Sequence, residues 1–292
     1  MRLYLRIVML MSFMCFSSST VWAWGHDGHR IVCAIAEKLL NQADRNEVER
    51  LTRLYKAPDG SSFFRFTAAC LFADTARSKA QDGVPGWQGF AKFEKWHFLN
   101  LPRSSKAVPG SACADNCVLF GIQTHSDLLR NSTLDRDKAE ALLFLGHWVG
   151  DVHQPLHISY EDDRGGNFIK PITGGYYPSD HLHAVWDSGI ITKARGQTDW
   201  WTYTGILKNR ITPAMRKEWL AVPPSRWAQE SYDIAINALA RYCRWNNNEC
   251  SRINGGRNLD MAYQQEFQDD IELRLEKAGV RLASLIRQAL HP

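Results

Sequence analysis

The sequence lacks any long hydrophobic run after its first residues. The stretch from Ile7 to Phe16 is ten residues long, whereas a bilayer-spanning helix needs roughly 18 to 20 apolar residues. Arg2 and Arg6 precede this stretch, and small residues surround a cleavage position after Ala23, so residues 1–23 are predicted to be a signal peptide. We expect the mature chain to be secreted or periplasmic, without stable membrane association.

The sequence also lacks a strong excess of either charge. It has 35 Lys and Arg against 31 Asp and Glu, a net charge of +4, and removal of Arg2 and Arg6 would leave +2. Proteins that bind duplex DNA through their overall field usually have a stronger basic bias. Binding of a polyanion would therefore depend on a local positive site, for which metal ions are one source.

Linkers, repeats and low-complexity segments are absent too, so residues 24–292 are expected to form one domain. Helical periodicity predicts an all-α fold with two long loops, Gln81–Asn116 and Ser159–Tyr177. Gly174-Gly175 is a candidate turn for one small hairpin. The longest predicted helices are Phe63–Ser78, Leu134–His153, Arg226–Arg244 and Asp260–Leu290.

Cysteine is present in an even number once Cys15 leaves with the signal peptide, which in an exported chain indicates disulfides. The six candidates are Cys33, Cys70, Cys113, Cys117, Cys243 and Cys250. The last four can form two local pairs, which leaves the first two for each other. This is one of several possible connectivities, and metal binding by Cys113 and Cys117 is an alternative.

Histidine and aspartate concentrate in the segment 147–157. His147 and Asp151 are four residues apart on a predicted buried helix, so both project from one face about a turn apart, as two ligands of one metal ion must. His183 and Asp187 repeat this spacing, which suggests more than one ion. A lone buried histidine is more often a core residue whose hydrogen bonds are satisfied, but this segment has several candidate ligands together.

Further candidate ligands lie upstream. Asp74 and His97 add a carboxylate and an imidazole, although Asp74 beside Arg77 would ordinarily indicate a surface ion pair. Cleavage after Ala23 would expose the amine of Trp24 five residues before His29. A metal can deprotonate a terminal amine at little cost and chelate it together with the carbonyl oxygen. The alternative is a buried aromatic near an ordinary N-terminus.

These motifs occur in a characteristic order along about 160 residues. They are Trp24-Gly25 with His29, Ala73-Asp74 with Arg77, His97-Phe98, His147-Trp148-Val149-Gly150-Asp151 with His157, Gly165-Gly166-Asn167, and Leu182-His183 with Trp186-Asp187. Together they resemble the trinuclear-zinc single-strand-specific nucleases, the family of mung bean nuclease, the plant bifunctional nucleases and the fungal nucleases S-one and P-one. The resemblance implies a single multi-helix domain of the zinc phospholipase C and single-strand nuclease type.

The resemblance also implies three Zn²⁺ ions. One would be held by Asp74, His97, His147 and Asp151, a second by His157, His183 and Asp187, and a third by Trp24, His29 and Asp151. Asp151 would thus bridge two ions. Independently of the resemblance, imidazole and carboxylate without thiolate suit catalytic zinc with open positions.

The implied activity is that of an exported endonuclease that cuts single-stranded DNA and RNA to 5′-phosphate products, with 3′-nucleotidase activity. Hydroxide between two ions would attack phosphorus in line. Asp74 and Arg77 are the catalytic candidates, and Arg77 would stabilise the transition state together with zinc. Phe98 would stack on an unpaired base, and Asn100 and Asn167 are the other substrate-binding candidates. We expect a monomer.

The remaining histidines are assigned by position. His153 lies between two ligands and is predicted to orient one of them, His26 is expected at the rim of the site, and His125 is expected to be structural. His181 stands where many relatives have Asn, and Asn100 where some fungal members have Asp, so base preference stays open.

Two other functions are compatible with these residues. A zinc phospholipase C would share the N-terminal Trp and the trinuclear site, but the Trp96-His97-Phe98-Leu99-Asn100 stretch fits a nuclease better, and the sequence has no obvious apolar membrane-docking segment. A non-enzymatic exported zinc-binding protein would explain the ligands. It would not explain Arg77, because ion storage needs no phosphate-binding arginine.

Overall fold

The computed structural model describes residues 24–110, 113, 115–247 and 249–291, so the predicted signal peptide lies outside the described residues. Helices dominate and strands are few and short, which confirms the all-α class. In the described part of the chain, no helix combines the length and the apolar character that crossing a bilayer requires.

The helices fall into an N-terminal, a central and a C-terminal group. They are α1 (His26–Leu39), α2 (Gln42–Leu54), α3 (Phe66–Ala69), α4 (Phe72–Gln81), α5 (Val118–Asn131), α6 (Asp135–Val152), α7 (Leu182–Ala184), α8 (Ile190–Arg195), α9 (Trp200–Arg210), α10 (Pro213–Leu220), α11 (Pro224–Ala235) and α12 (Met261–Leu290). Shorter 3₁₀ segments cover Gln88–His97, Pro155–His157 and Ala238–Ala240, and a π-helical turn covers Val185–Gly189.

The central helix α6 carries the densest sequence motif into the core. Its residues from Ala141 to Val152 are all buried, and it contacts α1, α2, α4, α5 and α12. Asp135 and Asp137 in its first turn complement the positive end of the helix dipole. Because α6 is apolar on nearly every side, it is surrounded by other helices, and its C-terminal end lies deep in the protein.

Six short strands form three two-stranded sheets. They are β1 (Leu99–Leu101), β2 (Ile158–Tyr160), β3 (Ile172–Thr173), β4 (Arg244–Asn246), β5 (Glu249–Ser251) and β6 (Arg257–Asn258). β1 pairs in parallel with β2, β3 in parallel with β6, and β4 antiparallel with β5. The β1–β2 pair matters most for the site, because it places the residues after His97 beside the residues after His157.

Three local predictions differ from the structure. The predicted helix Phe63–Ser78 is divided into α3 and α4. The predicted helix Arg226–Arg244 ends at Ala235, because Asn237 begins a separate 3₁₀ turn and Arg241 has a left-handed backbone conformation. The expected hairpin at Gly174-Gly175 does not form: β3 pairs with β6, and the hairpin of the structure is β4–β5.

Three disulfides are present, Cys33–Cys70, Cys113–Cys117 and Cys243–Cys250. These are the pairs that the sequence proximity suggested, and their formation excludes metal binding by Cys113 and Cys117 in this structure. The first links α1 to the segment between α3 and α4. Disulfides form and persist in oxidising compartments, which fits an extracellular protein.

A buried ion network joins α11 to α12. The side chains of Arg274 and Arg281 are 1% exposed or less, and both contact the carboxylate of Glu230. Burial alone would raise the pKa of Glu230, but the hydrogen bond from Arg281 and the charges of Arg274 and Arg281 lower it to about 2. The network lies directly behind α6, because Arg274 also donates to the carbonyl oxygen of His153.

Candidate metal centre

Three groups of buried histidine and aspartate side chains converge at the C-terminal end of α6. Within each group, the potential ligand atoms lie within 4.8 Å of one another. The groups are His29, His147 and Asp151; Asp74, His97 and His147; and His157, His183 and Asp187. All eight side chains predicted as metal ligands, apart from Trp24, therefore belong to one centre.

Separate elements contribute the ligands. α1 supplies His29, α4 supplies Asp74, and His97 ends a 3₁₀ segment immediately before β1. His157 ends the 3₁₀ turn that follows α6. The fifth contribution comes from α7 and the π-helical turn, which hold His183 and Asp187. π-helical turns inside helices are frequent at functional sites.

Backbone carbonyl groups orient three of the imidazoles. The Nδ1 atom of His147 donates to the Cys70 oxygen at 2.8 Å, and that of His157 donates to the His97 oxygen at 2.6 Å. His183 Nδ1 donates in the same way to Gly165 at 2.7 Å. A proton on Nδ1 leaves Nε2 as the free lone pair, so each ring presents Nε2 to the centre, as in histidine-metal sites.

The two oxygens of Asp151 face different histidines. Oδ2 lies 3.2 Å from His97 Nδ1 and 3.3 Å from His147 Nε2. Oδ1 lies 3.4 Å from His29 Nε2 and 3.6 Å from His157 Nδ1. This arrangement is the one a carboxylate needs to bridge two cations.

Many polar atoms of the centre have no hydrogen-bond partner. They include both oxygens of Asp74 and Asp151, both nitrogens of His29, and Nε2 of His97, His157 and His183. Buried polar atoms in native proteins are nearly always paired. So many unpaired donors and acceptors facing one another fit the binding of metal ions, and the chemistry of the set suits zinc.

Burial also sets the ionisation of the ligands. It lowers the pKa of His183 to about 3 and, with the charge of Arg77 as the next cause, lowers that of His97 well below its ordinary value. These imidazoles are therefore neutral, which is the form that binds a metal. Burial raises the pKa of Asp151 to about 7 and that of Asp187 well above its usual value. Both carboxylates need nearby positive charge to stay ionised at neutral pH.

Arg77 lies at the edge of this centre. Its Nη2 atom is 3.2 Å from Asp74 Oδ1, and its side chain is 15% exposed while that of Asp74 is 2% exposed. Its charge contributes to the lowered pKa of His29, His97 and His157. The pair is thus buried beside the ligands, and the alternative of an ordinary surface ion pair is wrong.

Comparison with known proteins supports the same conclusion. The S1/P1 Nuclease family profile matches residues 24–291. The chain belongs to the S1/P1 nuclease family. It is 26% identical over 304 residues to Endonuclease 2 of Arabidopsis thaliana, covering 98% of this chain and 97% of that protein. It is 27% identical to Endonuclease 1 of the same plant, covering 97% and 92%. It is 25% identical to Nuclease S1 of Aspergillus oryzae, covering 90% of each.

Family membership confirms the resemblance drawn from the motifs. The protein is a hydrolase of a zinc-dependent single-strand nuclease family, and its substrates are nucleic acids. The names of these relatives favour a nuclease over a phospholipase C. The groups around Asp151 are the part of this family member that can hold metal.

Trp24 links the two halves of the centre. It is fully buried, its indole N–H donates to the Gly150 oxygen at 2.7 Å, and the next amide, Gly25, donates to the Asp187 oxygen at 2.8 Å. The structure thus includes the buried aromatic of the simpler interpretation. It also places the position of the predicted new terminus between α6 and the π-helical turn.

The predicted substrate-binding residues border the centre. Phe98 and Asn100 directly follow His97 and are partly exposed, with Asn100 in β1. Asn167 donates through Nδ2 to the Arg164 oxygen at 2.6 Å, while its Oδ1 atom has no hydrogen-bond partner. These side chains lie where a substrate could reach them, and their contact with a base remains a prediction.

The structure corrects the prediction for one further histidine and gives a role to another. His153 does not orient a ligand: its Nε2 lies 2.8 Å from Arg281 Nη1 on the far side of α6, because the residue after the helix points into the ion network. His181 accepts the amide N–H of Ala184 and so caps α7. Asparagine is a favoured N-cap residue, so His181 performs the same task at this position.

His26 and His125 lie where they were expected. His26 is exposed at the start of α1, whereas His29 is fully buried one turn later. His125 is buried in α5, and its Nδ1 accepts the indole N–H of Trp148 at 3.0 Å. It therefore supports the aromatic packing around α6.

Gln154 is a residue of the site that sequence reasoning missed. It is fully buried, and its Nε2 donates to Asp187 Oδ1 at 2.5 Å. Its own oxygen accepts the amide N–H of Leu156 at 2.5 Å, which fixes the side chain. Gln154 therefore positions a ligand from the α7 side. Its place inside the 147–157 segment, with no apolar environment that an amide would suit otherwise, was the available signal.

Proposed function

We propose that this protein is an exported zinc-dependent endonuclease that hydrolyses the phosphodiester bonds of single-stranded DNA and RNA to 5′-phosphate products and also removes phosphate from 3′-nucleotides. The observation that carries the proposal is the set of buried, unpaired histidine and aspartate atoms around Asp151, bordered by Arg77. This arrangement combines a metal centre with a guanidinium group able to bind phosphate.

We assign three zinc ions to the centre. Asp74, His97, His147 and Asp151 would hold one, His157, His183 and Asp187 a second, and the Trp24 amine and carbonyl with His29 and Asp151 a third. The two faces of Asp151 support its bridging role. Three dications outweigh the three carboxylates of the centre, so the pocket would attract a phosphodiester although the whole chain is nearly neutral.

The protein side chains complete the catalytic site. Bound zinc would supply concentrated positive charge and a water acidic enough to act as nucleophile. Arg77 donates N–H groups to the non-bridging phosphate oxygens, where charge develops in the transition state. Asp74 holds the guanidinium at 3.2 Å, which reduces the reorganisation needed on substrate binding. Gln154 fixes the carboxylate of Asp187 in the same way.

Selection for single strands would come from the residues after His97. The half-exposed ring of Phe98 can stack on a base only when that base is free of its duplex partner. Asn100 and Asn167 would supply polar contacts, and the unpaired Oδ1 of Asn167 supports this role. The two asparagines leave the base preference open, because amides can both donate and accept.

The maturation step belongs to the same proposal. Cleavage of residues 1–23 would create the Trp24 amine and leave one nuclease domain, residues 24–292, acting as a monomer without stable membrane association. The hydrogen bonds of Trp24 and Gly25 to Gly150 and Asp187 support this, since they fix the new terminus at the centre.

The test uses the mature protein beginning at Trp24. Hydrolysis of single-stranded DNA, RNA, duplex DNA and a 3′-mononucleotide is measured before chelation, after chelation and after zinc return. The Asp151→Asn variant is compared with Asp269→Asn, which changes an exposed carboxylate of α12. We expect zinc-dependent cleavage of the single strands, lost only in Asp151→Asn. A folded, zinc-loaded protein that leaves every nucleic acid intact but hydrolyses phosphatidylcholine would refute the proposal in favour of a phospholipase.

A further inference from the structure

A basic and aromatic surface lies beside the metal centre. Phe168 is 41% exposed, and the guanidinium carbons of Arg164 and Arg252 lie over its ring, 5.4 and 5.6 Å from the ring centre. Both arginines are exposed. We call these three residues the Phe168 surface. Exposed aromatic rings beside arginines are the elements with which proteins bind single-stranded nucleic acid, through base stacking and phosphate contacts.

The charge of this surface is not neutralised by the protein. Neither Arg164 nor Arg252 forms a salt bridge with any residue in the described ranges, and the neighbouring acids Asp162 and Asp163 are already paired with Arg103. Phe168 likewise does not serve the core, since so much of its ring is in contact with solvent. Both arginines are therefore available to bind an anion.

The backbone at Arg164 indicates that the side chain matters. Its φ is +51°, a conformation that glycine and asparagine adopt far more readily than arginine. The carbonyl group of Arg164 is used in the turn, accepting Nδ2 of Asn167, but any residue could provide it. A strained conformation that persists without a structural need for the side chain is typical of functional sites.

The Phe168 surface is continuous with the centre. The Gly165 oxygen holds the ligand His183, and Phe168 follows three residues later, so their Cα atoms are at most about 11 Å apart. A strand bound at the centre can therefore reach the ring.

The surface extends further along the β4–β5 hairpin. Arg244 pairs with Ser251, next to Arg252. The charges of Arg244 and Arg241, after burial, lower the pKa of Arg257, so these arginines lie close together. Positive charge thus continues away from the centre.

We propose that the Phe168 surface is a second substrate-binding site, which binds the single strand next to the nucleotide being cut: a base stacks on Phe168, and Arg164 and Arg252 bind its flanking phosphates. The inference rests on the proposed nuclease function and deepens it. It predicts that long single strands are bound more tightly than dinucleotides, because only the long strand reaches both sites.

The test separates binding from cleavage. Binding of a fluorescent single-stranded oligonucleotide is measured by anisotropy in the Asp151→Asn background, and KM is measured in the active protein for the same oligonucleotide and for a dinucleotide. Phe168→Ala should weaken oligonucleotide binding and raise its KM about tenfold, with the dinucleotide unchanged. Phe168→Trp should retain tight binding. Arg164→Ala and Arg252→Ala should each reduce the salt dependence of binding by about 0.7 in the log-log slope.

The controls are an aromatic and an arginine elsewhere on the surface. Phe64 is 77% exposed in a cavity lined by Arg65 and Trp201, and Arg130 is exposed near the end of α5. Phe64→Ala and Arg130→Ala should bind like the parent protein. Equal binding by Phe168→Ala and its parent, or an equal loss in Phe64→Ala, would overturn the proposal. If the active protein cut no nucleic acid while Phe168→Ala still weakened binding, the nuclease function would be wrong and the binding surface correct.

Discussion

Substitution of a single glycine in α6 should inactivate the enzyme without adding or removing a polar group. Gly150 precedes the ligand Asp151, and a Cβ atom at this position would lie 2.6 Å from His29 Nδ1 and 2.9 Å from its Cε1. His29 has little room to yield. It is fully buried, its ring stacks on His147 at 3.8 Å, and its Nε2 lies 3.4 Å from Asp151.

Two effects of Gly150→Ala oppose each other. Alanine in a helix is more favourable than glycine by about 1 kcal/mol, whereas overpacking a core costs roughly 1 to 3 kcal/mol. To bring the Cβ contact from 2.6 Å to an ordinary 3.4 Å, the imidazole would have to move by 0.8 Å. Misplacement of a catalytic group by about 1 Å can cost around a hundredfold in rate. We therefore expect a large loss of activity with a small change in stability.

The assay compares Gly150→Ala with Gly205→Ala by turnover of single-stranded DNA, zinc content and urea denaturation. Gly205 lies in α9 with no atom near its hypothetical Cβ, so its substitution should stabilise the protein by up to about 1 kcal/mol and leave activity intact. A Gly150→Ala protein with full zinc and full activity would show that His29 is not held as the structure indicates.

Two further predictions concern charged residues. Arg77→Ala should lower kcat about 10²- to 10³-fold while zinc content stays the same, because the guanidinium contacts phosphate and not metal; kinetics with metal analysis would contradict this if KM alone rose. Glu230→Gln should destabilise the fold by roughly 3 kcal/mol in urea at neutral pH, since two buried arginines lose their counter-charge. The pKa of Glu230 is lowered to about 2 from an ordinary 4.5, so its contribution is complete above about pH 4.5 and disappears as the pH falls towards 2. An unchanged acid-unfolding profile in the variant would contradict this assignment.

The metal ligands could be predicted because their spacing along the chain carries the geometry. His147 and Asp151 must share a helix face once α6 forms, and its apolar sequence requires that it be buried. The convergence of His29, Asp74 and His97 on that face depends on tertiary packing. It was available from the sequence only through the resemblance to a known family.

Features set by long-range contacts escaped the sequence. Helical periodicity continued beyond Ala235, but an isolated pattern cannot show that Cys243 is tied to Cys250 in a hairpin. Likewise, β3 is only two residues long, and its partner β6 is more than eighty residues away. No local turn signal at Gly174-Gly175 could have revealed that pairing.

Side-chain direction after a helix end was equally hidden. His153 lies between two ligands in sequence, yet it faces Arg281, because the chain turns away from the centre once α6 has ended. Gln154, the next residue, turns back and binds Asp187. Periodicity assigns faces only within a helix, so these two roles could be read only from coordinates.

The most direct test of the trinuclear centre is the zinc content of the mature protein beginning at Trp24, measured by mass spectrometry beside Asp151→Asn after dialysis against zinc-free buffer. We predict three ions per chain in the parent protein. The variant should keep one, held by His157, His183 and Asp187, because Asp151 would bridge the other two. A parent protein that retains a single ion, or a variant that keeps all three, would contradict the account of the centre.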